Sequence, residues 1–382
     1  MPSRKKTPAP PALRSAAISA AISAPPAALQ PAPHSIDLAL QGGGSHGAFT
    51  WGVLDRLLQD EGLTFDGVSG ASAGALNAAV LATGLAEGGR AGARAALAAF
   101  WHDVSAQQSP YGSCFGAWPS AAVAAASPSL AGFNLDWSPF YAWSTQFLRA
   151  FSPYQFNPLG DNPLRQVVAR HVRPQALKAG PVSLFITATT VRTGQPRVFD
   201  RNDVSIDALL ASACLPQLFR AVHIDGQAYW DGGYSGNPAL WPLIYNTRAV
   251  DVMLVKINPL VRPDLPDTPD EIADRVNEIT FNAGLIGELR AVAFVQRLVE
   301  QGRIDPDTYK SLRLHMVADE EGLAPLHPSS KLNTDRRFLQ ALFDLGHAAA
   351  ERWLLAHRGD IGQRSTLDLR DSFLAPSPAS RV

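Results

Sequence analysis

Two strand–turn–helix units follow one another within fifty residues of the folded part of the chain. Residues 36–40 form an apolar strand pattern that ends in glycines 42–44, and residues 48–59 then repeat apolar side chains at helical spacing. Residues 65–69 form a second strand pattern, which the glycine-spaced segment 70–74 joins to a helix rich in Ala and Leu. Because consecutive units of this kind require parallel strands connected by helices, we predict an α/β fold.

The composition is typical of a globular protein and disfavours some classes of partner. Apolar residues make up 46% of the 382 residues, enough for a large core, and the net charge of −1 gives no electrostatic reason to bind nucleic acid. No apolar stretch is long enough to span a membrane. Cys114 and Cys214 form no C-x-x-C pair, so we expect ordinary thiols, a reducing compartment and no bound metal.

Both ends of the chain depart from the pattern of the predicted folded domain, residues 35–360. Residues 1–34 are rich in Ala and Pro, have a basic start and contain no acid. Because prolines break the apolar stretch that an export signal needs, we predict a disordered tail, with a cleaved signal or a partner-binding segment as the alternatives. We expect residues 361–382 to be flexible. The predicted location is cytoplasmic, either free or peripheral at a membrane, unless the tail directs export.

Residues 106–160 form an insert that is rich in aromatic side chains and poor in charge. Its aromatic residues are Tyr111, Phe115, Trp118, Phe133, Trp137, Phe140, Tyr141, Trp143, Phe147, Phe151, Tyr154 and Phe156. One interpretation is a lid or acyl-chain groove that touches a lipid surface transiently, since Trp and Tyr favour membrane interfaces. The other is an extra lobe that buries its own aromatic side chains. No basic amphipathic face is evident, so strong attraction to anionic lipid is not expected.

Ser72 is the central residue of the segment 70–74, which has the pattern G-x-S-x-G. A nucleophilic serine must project from a sharp turn between a strand and a helix, and the small neighbours Gly70, Ala71, Ala73 and Gly74 permit that turn. The turn also puts the serine at a helix N-terminus, where developing negative charge is stabilised. We therefore predict that Ser72 is the nucleophile of a hydrolase. The alternative is a plain tight turn.

The other glycine segment, residues 42–47, occupies the equivalent position in the preceding unit. It matches a dinucleotide-binding fingerprint, but the acids near the expected distance, Asp60 and Glu61, end a helix rather than a strand. It also suits an oxyanion hole, in which backbone N–H groups stabilise a tetrahedral intermediate, or a structural turn. Next to a predicted nucleophile, we favour the oxyanion hole.

A serine nucleophile needs a group that takes up its proton. The histidines downstream of Ser72 lie in no distinctive sequence context. Asp231, in contrast, ends a strand pattern and precedes Gly232 and Gly233, which puts its carboxylate at the carboxyl edge of the sheet, where parallel α/β folds have their sites. The alternative for this Asp-Gly-Gly sequence is an ordinary turn.

The glycine-rich loop, the G-x-S-x-G turn and the later Asp-Gly-Gly, in this order, resemble the motifs of the patatin-like phospholipases. Residues 211–216 before the aspartate and residues 234–238 after it are also similar to that family, and the resemblance spans residues 36–260. It implies a three-layer α/β/α sandwich with a mainly parallel central sheet. It also implies a lipid acyl hydrolase of the phospholipase A or lysophospholipase type, with no cofactor or metal.

The resemblance further implies a Ser–Asp dyad, in which Ser72 forms an acyl-enzyme and Asp231 is the base. The backbone N–H groups of Gly42, Gly43 and Gly44 would form the oxyanion hole. The supporting positions of these motifs are His46, Gly47, Gly70, Gly74, Gly232 and Gly233. Many family members have arginine where this chain has His46. We expect His46 to support the loop, either as a protonated ring or by packing.

Two other functions are open alternatives. A general carboxylesterase would use Ser72 in a Ser-His-Asp triad with a late histidine such as His315 or His347. That fold usually has several strands before its serine, whereas a single strand precedes the G-x-S-x-G unit here. A catalytically inactive relative would bind lipid without hydrolysing it. The expected partner is a lipid or another acyl ester, and the motifs specify neither the ester nor an oligomeric state.

Overall fold

One β-sheet forms the centre of the fold. The computed structural model describes residues 33–106, 130–136, 138–262, 264–305 and 309–374. Within these ranges the strands are β1 (His34–Leu40), β2 (Leu63–Ala71), β3 (Ser183–Thr190), β4 (Pro196–Asp200), β5 (Val222–Ile224), β6 (Gln227–Asp231), β7 (Asp251–Val255) and β8 (Arg313–Val317). The sheet order is β5-β6-β3-β2-β1-β7-β8, and β4 also pairs with β3.

Most strand pairs of the sheet are parallel. The neighbours β3, β2, β1, β7 and β8 run in the same direction, and only the pairs that involve β4, β5 and β6 are antiparallel. Parallel neighbours require crossover connections, which the intervening helices provide. The prediction of a mainly parallel sheet is therefore confirmed.

Helices connect these strands and cover the sheet. In the described part of the chain they are α1 (Gly47–Gln59), α2 (Ala73–Ala106), α3 (Pro139–Ala150), α4 (Pro153–Phe156), α5 (Leu164–His171), α6 (Pro174–Ala179), α7 (Ile206–Ser212), α8 (Trp241–Asn246), α9 (Pro269–Glu300), α10 (Glu320–Leu323) and α11 (Arg336–His357). Helix α2 is interrupted at Gly88 and Gly89, which have non-helical dihedral angles. Short 3₁₀ turns at Gly44–His46, Gly232–Tyr234 and Pro328–Leu332 lie near the predicted site residues.

Apolar side chains on both faces of the sheet build two separate cores. In β7, Met253 and Val255 belong to one core, which side chains of α1, α2 and α11 complete. Val252 and Leu254 belong to the other core, to which α8 and α9 contribute. This alternation follows from the two-residue period of a strand, which points successive side chains to opposite faces. Because helices cover both faces, the predicted three-layer α/β/α sandwich is confirmed.

The antiparallel strand β6 brings its last residue to the carboxyl end of β2. The first part of β3 pairs with β2, and its last three residues pair with β6. β4 pairs with the other edge of β3. β6 therefore lies along the same edge of β3 as β2, beyond the point where β2 ends. Ala71 thus pairs with Thr187, and Asp231 pairs with Ala188, the next residue of β3. This topology brings the G-x-S-x-G turn and the Asp-Gly-Gly turn together.

The structure describes only part of the chain ends and of the aromatic insert. Residues 1–32, 107–129, 137 and 375–382 lie outside the described residues, so the predicted N-terminal tail and much of the aromatic insert fall there. Residues 361–374 differ from the flexible tail that we expected. Leu367 and Leu369 are buried in the second core, and the N–H groups of Thr366 and Leu367 donate to the carbonyl of Leu314. The predicted start of the flexible tail at residue 361 is therefore wrong.

The structure also bears on two expectations from composition. No helix in the described ranges is both long and apolar enough to cross a membrane. Cys214 is a buried free thiol, and burial raises its pKa to about 12, so the thiol stays protonated. Cys114 lies outside the described residues.

Candidate active site

Ser72 occupies a strained turn between β2 and α2. Its φ angle is +52°, a left-handed conformation that residues other than glycine rarely adopt, and the residue is 7% exposed. A Cβ atom at Gly70 would overlap the backbone of Gly74, and one at Gly74 would overlap the carbonyl of Leu40. Glycine at both positions therefore lets strand and helix pass closely around Ser72.

Ser212, the last residue of α7, anchors the backbone of this turn. The N–H of Ser72 donates to the carbonyl oxygen of Ser212 at 3.1 Å and to its Oγ at 3.0 Å. The hydroxyl of Ser212 in turn donates to the carbonyl of Thr187 in β3 at 2.6 Å. The nucleophile's backbone is thus fixed to the sheet, independently of its own hydroxyl group.

Asp231 is fully buried at the end of β6, next to Ser72. Its Oδ1 accepts a hydrogen bond from the N–H of Gly233 at 2.8 Å, while Oδ2 has no aligned partner among the described residues. Burial raises the pKa of Asp231 to about 7, although the Gly233 N–H, the Ser72 hydroxyl and the charge of Lys331 act in the opposite direction. The carboxyl group is therefore near Ser72, and its pKa suits proton transfer at neutral pH.

The three glycines of the loop after β1 have different roles in the structure. The N–H of Gly42 donates to Oδ1 of Asn237 at 2.6 Å, so it is not available to an oxyanion. The prediction of Gly42 as an oxyanion donor is wrong for this reason. Gly43 and Gly44 line the cavity in front of Ser72, and no protein acceptor takes their N–H groups within the described residues. The available donors are therefore Gly43 and Gly44.

His46 packs below the glycine loop as a neutral ring. It is 4% exposed, its Nε2 lies 2.7 Å from the Oγ of Ser330, and burial, with the charges of Lys331 and Arg262, holds its pKa well below the usual value. The protonated form that we considered is thus disfavoured, and packing is the role that fits. The cation beside the loop is Lys331, which the sequence motifs did not reveal, since it lies in a 3₁₀ turn far along the chain.

The remaining motif glycines allow close backbone packing. A Cβ atom at Gly47 would meet the side chains of Ala73 and Trp101, and one at Gly232 would overlap the carbonyl oxygen of Thr187. A Cβ atom at Gly233 would overlap the ring of Phe281. These positions therefore bring the loops and Asp231 close together, which is the supporting role that the sequence predicted.

A mainly apolar cavity of about 370 Å³ opens in front of Ser72. Its apolar walls include Leu76, Phe100, Trp101 and Val104 of α2, Leu215, Leu218 and Phe219 of the segment after α7, and Phe281 of α9. Tyr141 of α3 also lines it, so the described part of the aromatic insert contributes to the wall. The charged residues at the wall are Asp274, Glu278 and Lys331. Such a lining suits a long apolar group with a few polar contacts.

A family model described as "Patatin-like phospholipase" matches residues 38–244, more than half of the 382 residues. The chain belongs to the patatin-like phospholipase family. The match includes the glycine loop, Ser72 and Asp231, and membership supports lipid hydrolase activity in general. No curated protein matches the sequence significantly.

Among solved structures, two distant likenesses accompany this assignment. VipD from Legionella pneumophila has 13% identity and a TM-score of 0.42, and the match covers 90% of this chain and 73% of VipD. The type III effector protein ExoU has 16% identity and a TM-score of 0.26, with 86% of this chain and 60% of ExoU covered. At these scores, neither likeness supports an inference about the function of this patatin-like chain.

The histidines that a catalytic triad would need are engaged elsewhere in this family member. His315 is fully buried in β8, where its Nε2 lies 3.0 Å from Oδ1 of Asp251 and its Nδ1 lies 3.0 Å from Oγ1 of Thr366. His347 on α11 lies beside Gln59 and Asp55. No histidine lines the cavity in the described part of the chain. The geometry therefore gives no support to a Ser-His-Asp triad.

The residues of the dinucleotide alternative have structural partners in this patatin-like chain. Asp60 pairs with Arg358, and its Oδ1 accepts from the N–H of Gly62 at 2.9 Å. Within the described ranges, no group of three or more His, Cys, Asp or Glu side chains has the arrangement of a metal site.

Proposed function

We propose that the protein is a serine lipid acyl hydrolase that uses a Ser72–Asp231 dyad. The observation that carries this proposal is the approach of the Asp231 carboxyl group to the strained turn of Ser72, which lines an apolar cavity. Strained nucleophiles, buried acids with raised pKa values and apolar pockets occur together mainly at catalytic sites. The proposal refines the lipid hydrolase activity that family membership supports.

The reaction begins when the Oγ of Ser72 attacks the carbonyl carbon of an ester and transfers its proton to Asp231. The N–H groups of Gly43 and Gly44 stabilise the oxyanion that forms. As the C–O bond breaks, the alcohol or lysolipid leaves with the proton from Asp231, and Ser72 carries the acyl group. Asp231 then takes a proton from water, whose hydroxide attacks the acyl carbon. As the bond between the acyl carbon and the Oγ of Ser72 breaks, the carboxylic acid leaves and Asp231 returns its proton to Ser72.

The raised pKa of Asp231 supports its role as the base. A carboxylate with an ordinary pKa is a weak proton acceptor, whereas one with a pKa of about 7 combines substantial ionisation at neutral pH with greater basicity. Oδ2, which has no aligned hydrogen-bond partner among the described residues, can accept the proton. In the absence of substrate, such catalytic hydrogen bonds are often poorly aligned.

We further propose that the protein reaches its substrate at a lipid surface through an aromatic face next to the cavity. This face consists of Phe140, Trp143, Phe147 and Phe151, which form a continuous series of ring contacts along α3 and its end. Trp143 is 61% exposed, and the other three are also exposed. Exposed apolar patches of this kind mark binding surfaces, and aromatic rings favour the membrane interface.

A second exposed apolar stripe supports the same proposed contact with a lipid surface. Ile272, Val276 and Ile279 repeat along α9, and all three are about half exposed. Neighbouring residues of α9 line the cavity, as Tyr141 of α3 does. Apolar side chains therefore flank the cavity from two helices, which suits extraction of a lipid from a surface.

Covalent labelling with a fluorophosphonate tests the dyad. Wild-type protein and a Ser35→Ala control, which removes an exposed serine of β1, should be labelled and should hydrolyse an activated ester. Ser72→Ala should prevent labelling, and Asp231→Asn should reduce hydrolysis about 1000-fold or more. Unlabelled wild-type protein would instead favour the inactive lipid-binding alternative. Comparison of wild type and Ser72→Ala against a panel of phospholipids, lysophospholipids and triacylglycerols would then identify the ester.

A further inference from the structure

Buried side-chain amides hold both polar groups of Gly42. Its N–H donates to Oδ1 of Asn237 at 2.6 Å, and its carbonyl accepts a hydrogen bond from Nδ2 of Asn258 at 2.7 Å. Asn237 is fully buried, and Asn258 is 1% exposed. The two peptide groups on either side of Gly42 are therefore fixed from the protein interior.

The bond from Asn258 determines the direction of a proposed catalytic donor. The carbonyl of Gly42 and the N–H of Gly43 belong to one planar trans peptide group, in which they point in opposite directions. Because Asn258 holds the carbonyl on the interior side, the Gly43 N–H is directed away from Asn258. Gly43 lines the cavity, so this is the side on which an oxyanion would form.

Lys331 fixes the orientation of the Asn258 amide. Its Nζ donates to Oδ1 of Asn258 at 2.9 Å. An ammonium group has only donors, so the amide must present its oxygen to Lys331 and its NH₂ group to the Gly42 carbonyl. A charged donor at one end of a hydrogen-bonded chain also polarises the bonds that follow, and low-dielectric surroundings increase this effect.

The side-chain amide of Gln41 links the backbone of Asn258 to the glycine loop after β1. Gln41, the residue before Gly42, accepts hydrogen bonds at its Oε1 from the N–H groups of Ile257 and Asn258, both at 3.0 Å. Gln41 is fully buried. Gln41 therefore joins the segment after β7 to the loop after β1, next to the contacts of Asn258 with Lys331 and with the Gly42 carbonyl.

We propose that Asn258 and Lys331 are positioning residues that orient and polarise the Gly43 N–H for the oxyanion of the acyl-transfer reaction. The inference rests on the proposed function and adds to it two residues that lie outside the sequence motifs. Lys331 acts through Asn258 and the Gly42–Gly43 peptide group. It thereby increases the hydrogen-bond strength of a donor with which it has no direct bond.

Four variants test the chain of contacts. Asn258→Ala removes the shorter of two bonds to the Gly42 carbonyl and leaves the one from Nδ2 of Asn237 at 3.4 Å. Asn258→Asp replaces the donor by an acceptor. Lys331→Met removes the charge while leaving the amide, and Lys331→Arg keeps a charged donor. With a soluble short-chain ester, we expect kcat to fall about tenfold in Asn258→Ala and Lys331→Met, and further in Asn258→Asp, with KM nearly unchanged. The rate of Ser72 labelling by a fluorophosphonate should fall in parallel, and Lys331→Arg should retain most of both rates.

A control and a stability measurement separate positioning from general structure. Asn246→Ala removes an exposed amide on α8 that bonds to the carbonyl of Pro242, and it should leave kcat and labelling unchanged. Thermal unfolding of every variant reports damage to the fold. If Asn258→Ala fails to fold, the comparison of Lys331→Met with Lys331→Arg decides, since the amide is intact in both.

Two outcomes would overturn the inference. Folded Asn258→Ala and Lys331→Met proteins with kcat and labelling rates within twofold of wild type would show that the chain has no catalytic effect. A lower melting temperature with unchanged rates would assign it a purely structural role. A wild-type protein that neither labels nor hydrolyses esters would be a different result, because it would overturn the proposed function itself.

Discussion

The N–H of Gly233 donates to Oδ1 of Asp231 at 2.8 Å, while Oδ2 has no aligned partner in the described part of the chain. The Gly233 N–H, the Ser72 hydroxyl and the charge of Lys331 do not compensate for full burial, so the pKa of Asp231 is raised to about 7. Because only the ionised carboxylate accepts the proton of Ser72, we expect kcat/KM for a soluble ester to rise with pH and level off above about pH 7. A rate that is constant between pH 5 and 9 would contradict the assignment of Asp231 as the base.

The same raised pKa predicts an effect of Asp231 on stability. Since the folded value of about 7 exceeds the ordinary value of 3.8, the folded state binds the proton more tightly than the unfolded state. The stability associated with protonated Asp231 is complete below pH 4 and is lost as pH rises through 7. Asp231→Asn should therefore stabilise the protein relative to wild type, by about 2.5 kcal/mol more at pH 8 than at pH 5. Denaturant unfolding at both pH values measures this difference, and an equal effect at the two would contradict it.

Close packing of Gly232 against β3 predicts a large effect of a single methyl group. A Cβ atom there would overlap the carbonyl oxygen of Thr187, so Gly232→Ala should lower the free energy of unfolding by about 2–3 kcal/mol and displace Asp231. Gly287→Ala is the matched control. Gly287 is an exposed residue of α9 with open space around its Cβ position, and its replacement should stabilise the helix by about 1 kcal/mol. Equal effects of the two substitutions in chemical denaturation would refute the packing argument.

The fold and the two central site residues were predictable because their signals are local. Glycine turns between an apolar strand and a helix specify a crossover unit, and the predicted bounds of α1, 48–59, agree with Gly47–Gln59. Ser72 and Asp231 follow from the same logic, since Ser72 directly follows a strand and Asp231 ends one. Their proximity, however, depends on β6 continuing the edge of β2, which the spacing of the two motifs does not encode.

The rest of the site was not predictable because its signals are not local. The glycine pattern cannot indicate that the N–H of Gly42 is already bound by Asn237, a residue 195 positions away. Lys331 and Asn258 belong to no sequence motif and become significant only through their contacts. Likewise, Leu367 and Leu369 are isolated apolar residues in a polar stretch, and their burial depends on a groove that distant elements build.

The buried position of His315 predicts that its loss affects stability rather than chemistry. His315→Ala removes contacts to Asp251 and Thr366 and leaves a buried carboxylate with fewer partners, which should cost about 2–3 kcal/mol of stability. The kcat of the folded fraction should be unchanged, as should that of His347→Ala. Steady-state rates corrected for the folded fraction measure this, and a loss of more than 100-fold in either variant would favour the Ser-His-Asp triad.

The aromatic face of α3 predicts a difference between aggregated and soluble substrates. A Trp143→Ala/Phe147→Ala double variant removes two exposed rings that are not among the residues lining the cavity, so hydrolysis of a soluble short-chain ester should be unchanged. Hydrolysis of phosphatidylcholine vesicles should fall at least about tenfold, because burial of each ring at an interface contributes on the order of 1 kcal/mol or more.

The control for this effect is Leu355→Ala on α11, which removes a side chain that is 79% exposed and is not part of the aromatic face. It should leave both activities unchanged, which would show that the loss on vesicles depends on the position of the rings and not on exposed apolar area alone. Vesicle co-sedimentation of catalytically inactive Ser72→Ala protein, with and without the two aromatic substitutions, separates binding from turnover. Equal losses on vesicles and on the soluble ester would mean that the rings support the fold of the cavity wall, and equal co-sedimentation would exclude the aromatic face as the lipid contact.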